Sequence, residues 1–241
     1  MASPLLVLAE PAHPGGPVHD VALPTVLLRQ RLPDGDEVLR VYSPDPTAAF
    51  TRRDTRRPGY DAAVALARSS GFSPVVRPQG GRVAAYHGGS VVIDHVLRTD
   101  RPHDGLVDRF RRFAELHAEV LRRLGVDARI GELPGEYCPG EFSVNAAGVH
   151  KLAGSAQRVT RDGWAFSTVV QVRGTDRLRE VMDRVHDALG YPYAAATVGS
   201  VEDHVPGIAV DDVVSAMLEA YGGPHRVPLP AEVLEAVAEA P

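Results

Sequence analysis

The fold is decided by residues 141–172: Glu141-Phe142-Ser143-Val144-Asn145-Ala146, then Ala147-Gly148-Val149-His150, then Lys151-Leu152-Ala153-Gly154-Ser155-Ala156-Gln157-Arg158, and finally the run from Trp164 to Val172. The first run alternates apolar and polar side chains, as a half-buried strand does. The tetrapeptide that follows reads as a turn, and the next two runs as the returning strands of one meander, closed by Gly174. Strands and helices elsewhere mix without strict βαβ alternation. The expected fold class is therefore α+β, with a mostly antiparallel sheet and packed helices.

Working outward, residues 1–24 are rich in Pro, Gly and His and are expected to form a loose leader. Val26-Leu27-Leu28 and Val38–Tyr42 read as two strands flanking a Pro33-Asp34-Gly35-Asp36 turn. Phe50 to Arg57 is basic and irregular. A helix is expected from Tyr60 to Ser69, closed by Gly71, then strands at Phe72–Arg77, Val83–His87 and Ser90–Asp94. The longest helical pattern runs from Asp104 to Leu124, with Leu106, Phe110, Phe113, Val120 and Leu124 on one face. It is capped by Gly125, and Ala128-Arg129-Ile130 begins a further strand. Thr175 or Asp176 opens a helix carrying Leu178, Val181, Met182, Val185 and Leu189 inward. Ser200-Val201-Glu202-Asp203 has the form of a capping box, and a last ordered helix spans Asp211 to Tyr221. The main domain is placed at 25–222, and 223–241, with Pro228 and Pro230 and a modest Glu/Ala helix, is expected to be a loosely held tail.

Apolar residues make up 44% of the 241, enough for a sizeable core. A net charge of −5 argues against nucleic acid as the main partner. The single cysteine rules out an internal disulfide and fits a reducing compartment; it also argues against a structural zinc site. Leu5-Leu6-Val7-Leu8 is too short for a signal sequence or a membrane span. The expectation is a cytoplasmic protein with no metal and no membrane or nucleic-acid partner.

Chemistry concentrates at Gly135-Glu136-Tyr137-Cys138-Pro139-Gly140 and at Lys151. A thiol beside an ammonium is a plausible nucleophile, because positive charge favours the thiolate. The plainer alternative is a small buried cysteine and a solvated lysine. A second candidate is Arg77-Pro78-Gln79-Gly80-Gly81-Arg82, whose paired glycines can expose backbone N–H groups to a carboxylate, phosphate or thioester oxygen. The alternative there is a tight hairpin. It lacks the Gly-Lys-Ser/Thr of a P-loop, and a strand rather than a helix follows, unlike a dinucleotide fingerprint. His87 could serve the cysteine as a base. Arg52, Arg53, Arg56 and Arg57 either form a solvated loop or steer an acidic carrier protein.

Taken together, these segments resemble the lipoate/octanoate protein ligase and transferase family, which shares its fold with biotin protein ligases. The glycine-turn pattern stands as Arg77-Pro-Gln-Gly80-Gly81-Arg82-Val83-Ala84-Ala85-Tyr86-His87, and the lysine pattern as Lys151-Leu-Ala153-Gly154-Ser155-Ala-Gln157-Arg158. Tyr137-Cys138-Pro139-Gly140 ahead of that lysine looks like the cysteine-dependent octanoyl-[glycine-cleavage H protein]:protein N-octanoyltransferase branch. The resemblance implies that Cys138 takes the acyl group as a thioester and that Lys151 polarises its carbonyl. It implies an acyl site drawn from Arg77, Gly80, Gly81, Arg82, Val83, Ala84, Ala85 and His87 on one side. On the other it draws on Gly140, Ala153, Gly154 and Ser155, with Val83, Ala85 and Ala153 beside the acyl tail. It further implies an octanoyl or lipoyl substrate, with glycine-cleavage H protein or acyl carrier protein as donor. Lipoyl domains of 2-oxoacid dehydrogenases would be the acceptors, and no cofactor would be required. Arg82 stands where a third glycine is common, and Ala165-Phe166-Ser167 where several branches carry His-Gly. The extra C-terminal domain of many ATP-dependent ligases is not seen, which favours transfer. The alternatives are a lipoate–protein ligase using ATP and Mg, with Cys138 idle, and a non-catalytic binder of acyl chains or carrier proteins.

Overall fold

A computed structural model of the chain describes residues 5–8, 15–30, 35–222 and 225–239. In order, the elements are β1 (Leu5–Leu8), α1 (Pro17–Arg29), β2 (Glu37–Tyr42), β3 (Thr47–Phe50), α2 (Tyr60–Ser69), β4 (Ser73–Val76), β5 (Ala84–Tyr86) and β6 (Ser90–Arg98). They continue with α3 (Leu106–Arg123), β7 (Ala128–Ile130), β8 (Val144–Ala146), β9 (His150–Thr160), β10 (Gly163–Gln171), α4 (Thr175–Leu189), α5 (Val210–Ala220), β11 (His225–Val227) and α6 (Ala231–Ala238). Among the described residues, eight strands form one sheet in the order β11-β1-β2-β6-β10-β9-β8-β7, and β4-β3-β5 form a second. Pairing is antiparallel from β2 across to β7; only β1 with its two neighbours and β3 with β4 run parallel. The class is α+β, and the meander read from residues 141–172 is its centre. Trp164 faces Val159 and Val169 faces Gly154 across β10 and β9. A register shift at Val144/Asn145 then sets Asn145 opposite Lys151.

Both ends differ from the sequence reading. Residues 17–29, split there between a leader and a strand, form one helix that buries Leu23, Leu27 and Leu28. The Val26-Leu27-Leu28 run satisfies a strand or a helix equally well, and the Leu23–Leu27 spacing, one helical turn, decides it. Pro24 lies inside this helix and cannot donate to the carbonyl one turn back. That carbonyl, of Asp20, accepts instead from Arg40 Nη1 at 3.2 Å, while Arg40 Nη2 pairs with the Asp20 carboxylate. The hairpin expected between Val26–Leu28 and β2 does not form, because β2 pairs with β1 and β6. Pro33 and Asp34 of its turn lie outside the described residues. At the other end the Glu/Ala helix expected in the tail is α6, but it is not loose: it packs on α1 with Val233 and Val237 buried, and β11 adds to the sheet edge beside β1.

Helix α3 also turns differently at its start. Leu106 is exposed and Phe110 half-buried, while Phe113, Ala114, His117, Ala118 and Leu121 are buried. His117 sits among Phe113 and Tyr221, its Nε2 3.1 Å from the Tyr221 hydroxyl, and burial pushes its pKa down to about 3. The unfolded chain binds this proton below about pH 6.5 and the folded chain does not, so His117 lowers stability as pH falls through that window. The slope is about 1.4 kcal/mol per pH unit between about 6.5 and 3. His117→Gln keeps a partner for the Tyr221 hydroxyl and removes the proton. Denaturant unfolding at pH 7, 6 and 5 should show the wild type losing stability faster than the variant by that slope. Parallel curves would contradict the assignment.

Candidate active site

Three segments meet at one cavity of about 400 Å³: the turn from β4 to β5, the loop from β7 to β8, and the start of β9. The small sheet supplies the turn and the large sheet supplies β9, so the cavity lies where the two sheets adjoin. Arg77, Gly80, Gly81, Ala84, Cys138, Gly140, Lys151, Gly154 and Ser155 all line it.

The loop carrying Cys138 has no regular structure of its own, and a single carboxylate organises it. Glu136 is fully buried, and its Oε1 accepts from Gly140 N–H (3.1 Å), Ser143 Oγ (2.7 Å) and Lys151 Nζ (2.8 Å). Its Oε2 accepts from Leu133 N–H at 3.0 Å. Burying a carboxylate is costly unless charge and hydrogen bonds compensate, and here four donors, one cationic, do so. From outside the loop, His186 Nε2 lies 3.0 Å from the Tyr137 carbonyl, and Ala194 N–H donates to the Gly135 carbonyl at 2.8 Å. The cysteine is thus held by α4 and by the segment after it.

Lys151 is 2% exposed at its side chain, and its ammonium donates to Glu136 and, at 2.6 Å, to the carbonyl of Cys138. An ammonium has three N–H bonds. The third meets no hydrogen-bond acceptor among the described residues, and Nζ lies 4.7 Å from the centre of the Tyr137 ring. Gly154 leaves space for this side chain, since a Cβ there would lie 3.0 Å from Lys151 Cε and 3.3 Å from Nζ. The cysteine sulfur has a different partner: the backbone N–H of Arg82 donates to Sγ at 3.2 Å. Arg77 fixes this turn by donating to the carbonyls of Gly80 and Arg82 at 2.9 and 3.0 Å. The glycine turn therefore touches the thiol, and the lysine holds the backbone that carries it.

Gly81 is where this approach demands glycine. Its φ is +100°, and a Cβ there would lie 2.9 Å from Cys138 Sγ. Gly81→Ala should cost about 1 kcal/mol or more in stability from the backbone alone. It should also displace the sulfur, slowing alkylation of Cys138 at least tenfold. Alkylation at the wild-type rate would show that the contact is not needed.

Four expected acyl-site residues lie elsewhere. Val83, just before β5, and Ala85 within it are buried in the cluster formed with Phe50, Leu178 and Val181, because alternation along the strand turns them towards α4 while Ala84 lines the cavity. Ala153 joins the core under the large sheet. His87 stands at the far end of β5, where its Nδ1 accepts from Gly89 N–H at 2.9 Å and its ring covers Gly174. Arg82 contributes its backbone; its guanidinium runs outward to the Pro192 carbonyl at 3.5 Å. The apolar wall is instead Phe110 and Phe142, stacked with ring centres 5.9 Å apart, together with Ala84 and Val169. Sequence reasoning gave Glu136 no role: between Gly135 and Tyr137 in a turn-rich loop it looks solvated. Phe142 carried a usable signal, as an aromatic close to the cysteine; the strand expected from Glu141 begins only at Val144, and Phe142 sits in the turn before it.

The family model for the lipoyl protein ligase A/B catalytic domain matches residues 17–222. The chain belongs to this family. It is 27% identical over 202 residues to the octanoyl-[GcvH]:protein N-octanoyltransferase of Geobacillus kaustophilus, covering 78% of this chain and 71% of that protein. To the enzyme of the same name from Exiguobacterium sibiricum it is 28% identical over 192 residues, covering 78% and 66%. With that of Anoxybacillus flavithermus the match spans about half of the relative, 49%. In structure the chain is similar to a lipoate-protein ligase A bound with ATP, with a TM-score of 0.74 at 22% identity over 99% of this chain and 93% of that one. It is also similar to a bipartite lipoate protein ligase from Thermoplasma acidophilum, described with its E2 lipoyl domain, at a TM-score of 0.71, 20% identity and coverage of 99% and 91%. These structural likenesses establish the fold of the lipoyl protein ligase family. Phe166 is buried against Phe110, with ring centres 5.0 Å apart.

Proposed function

We propose that this member of the lipoyl protein ligase family is an octanoyltransferase of protein lipoylation that works through a thioester on Cys138. What carries the reading is the spare N–H of Lys151 beside a cysteine whose sulfur already accepts a backbone N–H. The names of its relatives supply the substrate, an octanoyl group on GcvH, and the acceptor, a protein amine.

In the first step the thiol of Cys138 gives up its proton and the sulfur adds to the octanoyl carbonyl carbon. The C–S bond forms, the C–N bond to the donor lysine breaks, and the departing amine takes up a proton. The third N–H of Lys151 donates to the carbonyl oxygen as negative charge grows there. In the second step the neutral lysine amine of a lipoyl domain adds to the thioester; the new C–N bond forms, the C–S bond breaks, and the proton lost by the amine returns to the departing sulfur as the thiol. One amide is exchanged for another, so the transfer needs no nucleotide. The stacked Phe110 and Phe142, with Ala84 and Val169, provide an apolar wall for the eight-carbon chain. Burial of such a chain is worth about 0.8 kcal/mol per methylene. We place the reaction in the cytoplasm, where a lone thiol stays reduced. Among the described residues no helix is long and apolar enough to cross a membrane.

The test is the intact mass of the protein after mixing with octanoylated GcvH in the absence of ATP. The expected result is a gain of one octanoyl group, removed by hydroxylamine. A protein that stays unmodified, yet octanoylates a lipoyl domain when given octanoate and Mg-ATP, would be a ligase instead.

A further inference from the structure

We propose that Arg52, Arg53, Arg56, Arg57 and Arg82 form the docking surface for the acidic carrier domain that presents the acyl group. The inference rests on the transferase reading above and names where its protein substrate binds. Arg52, Arg53 and Arg56 are exposed on the segment after β3. The carboxylate of that segment is turned inward: Asp54 is fully buried and accepts from Thr51 N–H (2.7 Å), Thr51 Oγ (2.9 Å) and the Tyr191 hydroxyl (2.7 Å). Around the same Tyr191 ring stand three guanidiniums, of Arg53, Arg57 and Arg82, at 5.9, 4.7 and 4.9 Å from its centre. Among the described residues none of the five forms an ion pair: Arg57 donates to the carbonyls of Leu189 and Gly190 at 2.8 and 2.9 Å and Arg82 to that of Pro192, which orients these guanidiniums without neutralising them.

Like charges crowded on one ring repel, and the ring's negative face offsets only part of this. Carboxylates from a partner would complete the site, because guanidinium forks match them in charge and shape. The cluster also adjoins the cavity: Thr51 Oγ, just ahead of these arginines, donates at 3.4 Å to the carbonyl of Gly81, which lines that cavity. Arg82, whose guanidinium belongs to the cluster, is the residue whose backbone N–H holds Cys138 Sγ at 3.2 Å. An acidic surface seated there would lie beside the glycine turn that lines the cavity, within reach of its acyl arm. The chain as a whole carries −5, so its net charge does not favour an acidic partner, and a local basic field of this kind is what would orient the encounter.

The test compares acylation of Cys138 from octanoylated GcvH and from octanoyl-N-acetylcysteamine, a small uncharged thioester, in wild type and in the triple variant Arg52→Ser/Arg53→Ser/Arg56→Ser. Loading from the carrier should fall at least tenfold in the variant and lose most of its salt dependence. Loading from the small thioester should be unchanged. Equal carrier loading with an equal salt slope in both proteins would overturn the docking site. If wild type is loaded by neither donor, the transferase reading fails. Affinity of GcvH for Cys138→Ala protein with and without the three substitutions then still decides the role of the cluster. Unchanged GcvH affinity with lost Mg-ATP binding would make the cluster a phosphate site and overturn the proposal.

Discussion

Cys138→Ala should abolish the octanoyl adduct and reduce transfer to a lipoyl domain by three orders of magnitude or more, with little change in stability. The sulfur makes one hydrogen bond, from Arg82 N–H, and the side chain is only partly buried, so its loss removes little packing. The backbone carbonyl that anchors Lys151 is kept in alanine, so the ammonium should stay in place. Stability and chemistry are therefore separable here. Nearly unchanged unfolding with no adduct in the intact mass is the expected pair of results. Residual transfer close to wild type would mean that the acyl group reaches the acceptor without a thioester.

Removing Lys151 should do two things at once. Lys151→Met leaves Glu136 buried with no cation. Breaking one partner out of a buried pair costs about 3–5 kcal/mol. Under the proposed mechanism it also removes the donor to the acyl carbonyl, a loss of about two to three orders of magnitude in rate. The double variant Glu136→Gln/Lys151→Met separates the two effects. Replacing both charges by neutral groups of similar shape is often close to neutral for stability. The double variant should therefore recover much of the lost stability while staying slow. A double variant that regains turnover along with stability would show that Lys151 serves the fold and not the reaction. Chemical denaturation and single-turnover acylation of both variants make the comparison.

Sequence pattern alone determined the meander and the helices α2 and α4, and it singled out Cys138 and Lys151 as candidates. Those features are local. Alternation marks strands, three- and four-residue spacing marks helices, and a turn-rich setting sets one cysteine apart. It also marked the glycine turn as significant, although not that its function is to let the backbone approach a sulfur distant in sequence. Tertiary structure decided what no window of sequence contains. Val26–Leu28 became helix because the buried face of α1 includes Leu23, and Arg40 takes the carbonyl that Pro24 leaves unpaired. Glu136 became the keystone of the cysteine loop only once β9 delivered Lys151 beneath it. Val83, Ala85 and Ala153 left the expected acyl wall because the faces of β5 and β9 are assigned by which helix covers them. Phe110 and Phe142 replaced them from segments of sequence far apart. Periodicity gives each strand two faces and each helix a stripe, but which face meets the cavity is settled by packing partners distant along the chain.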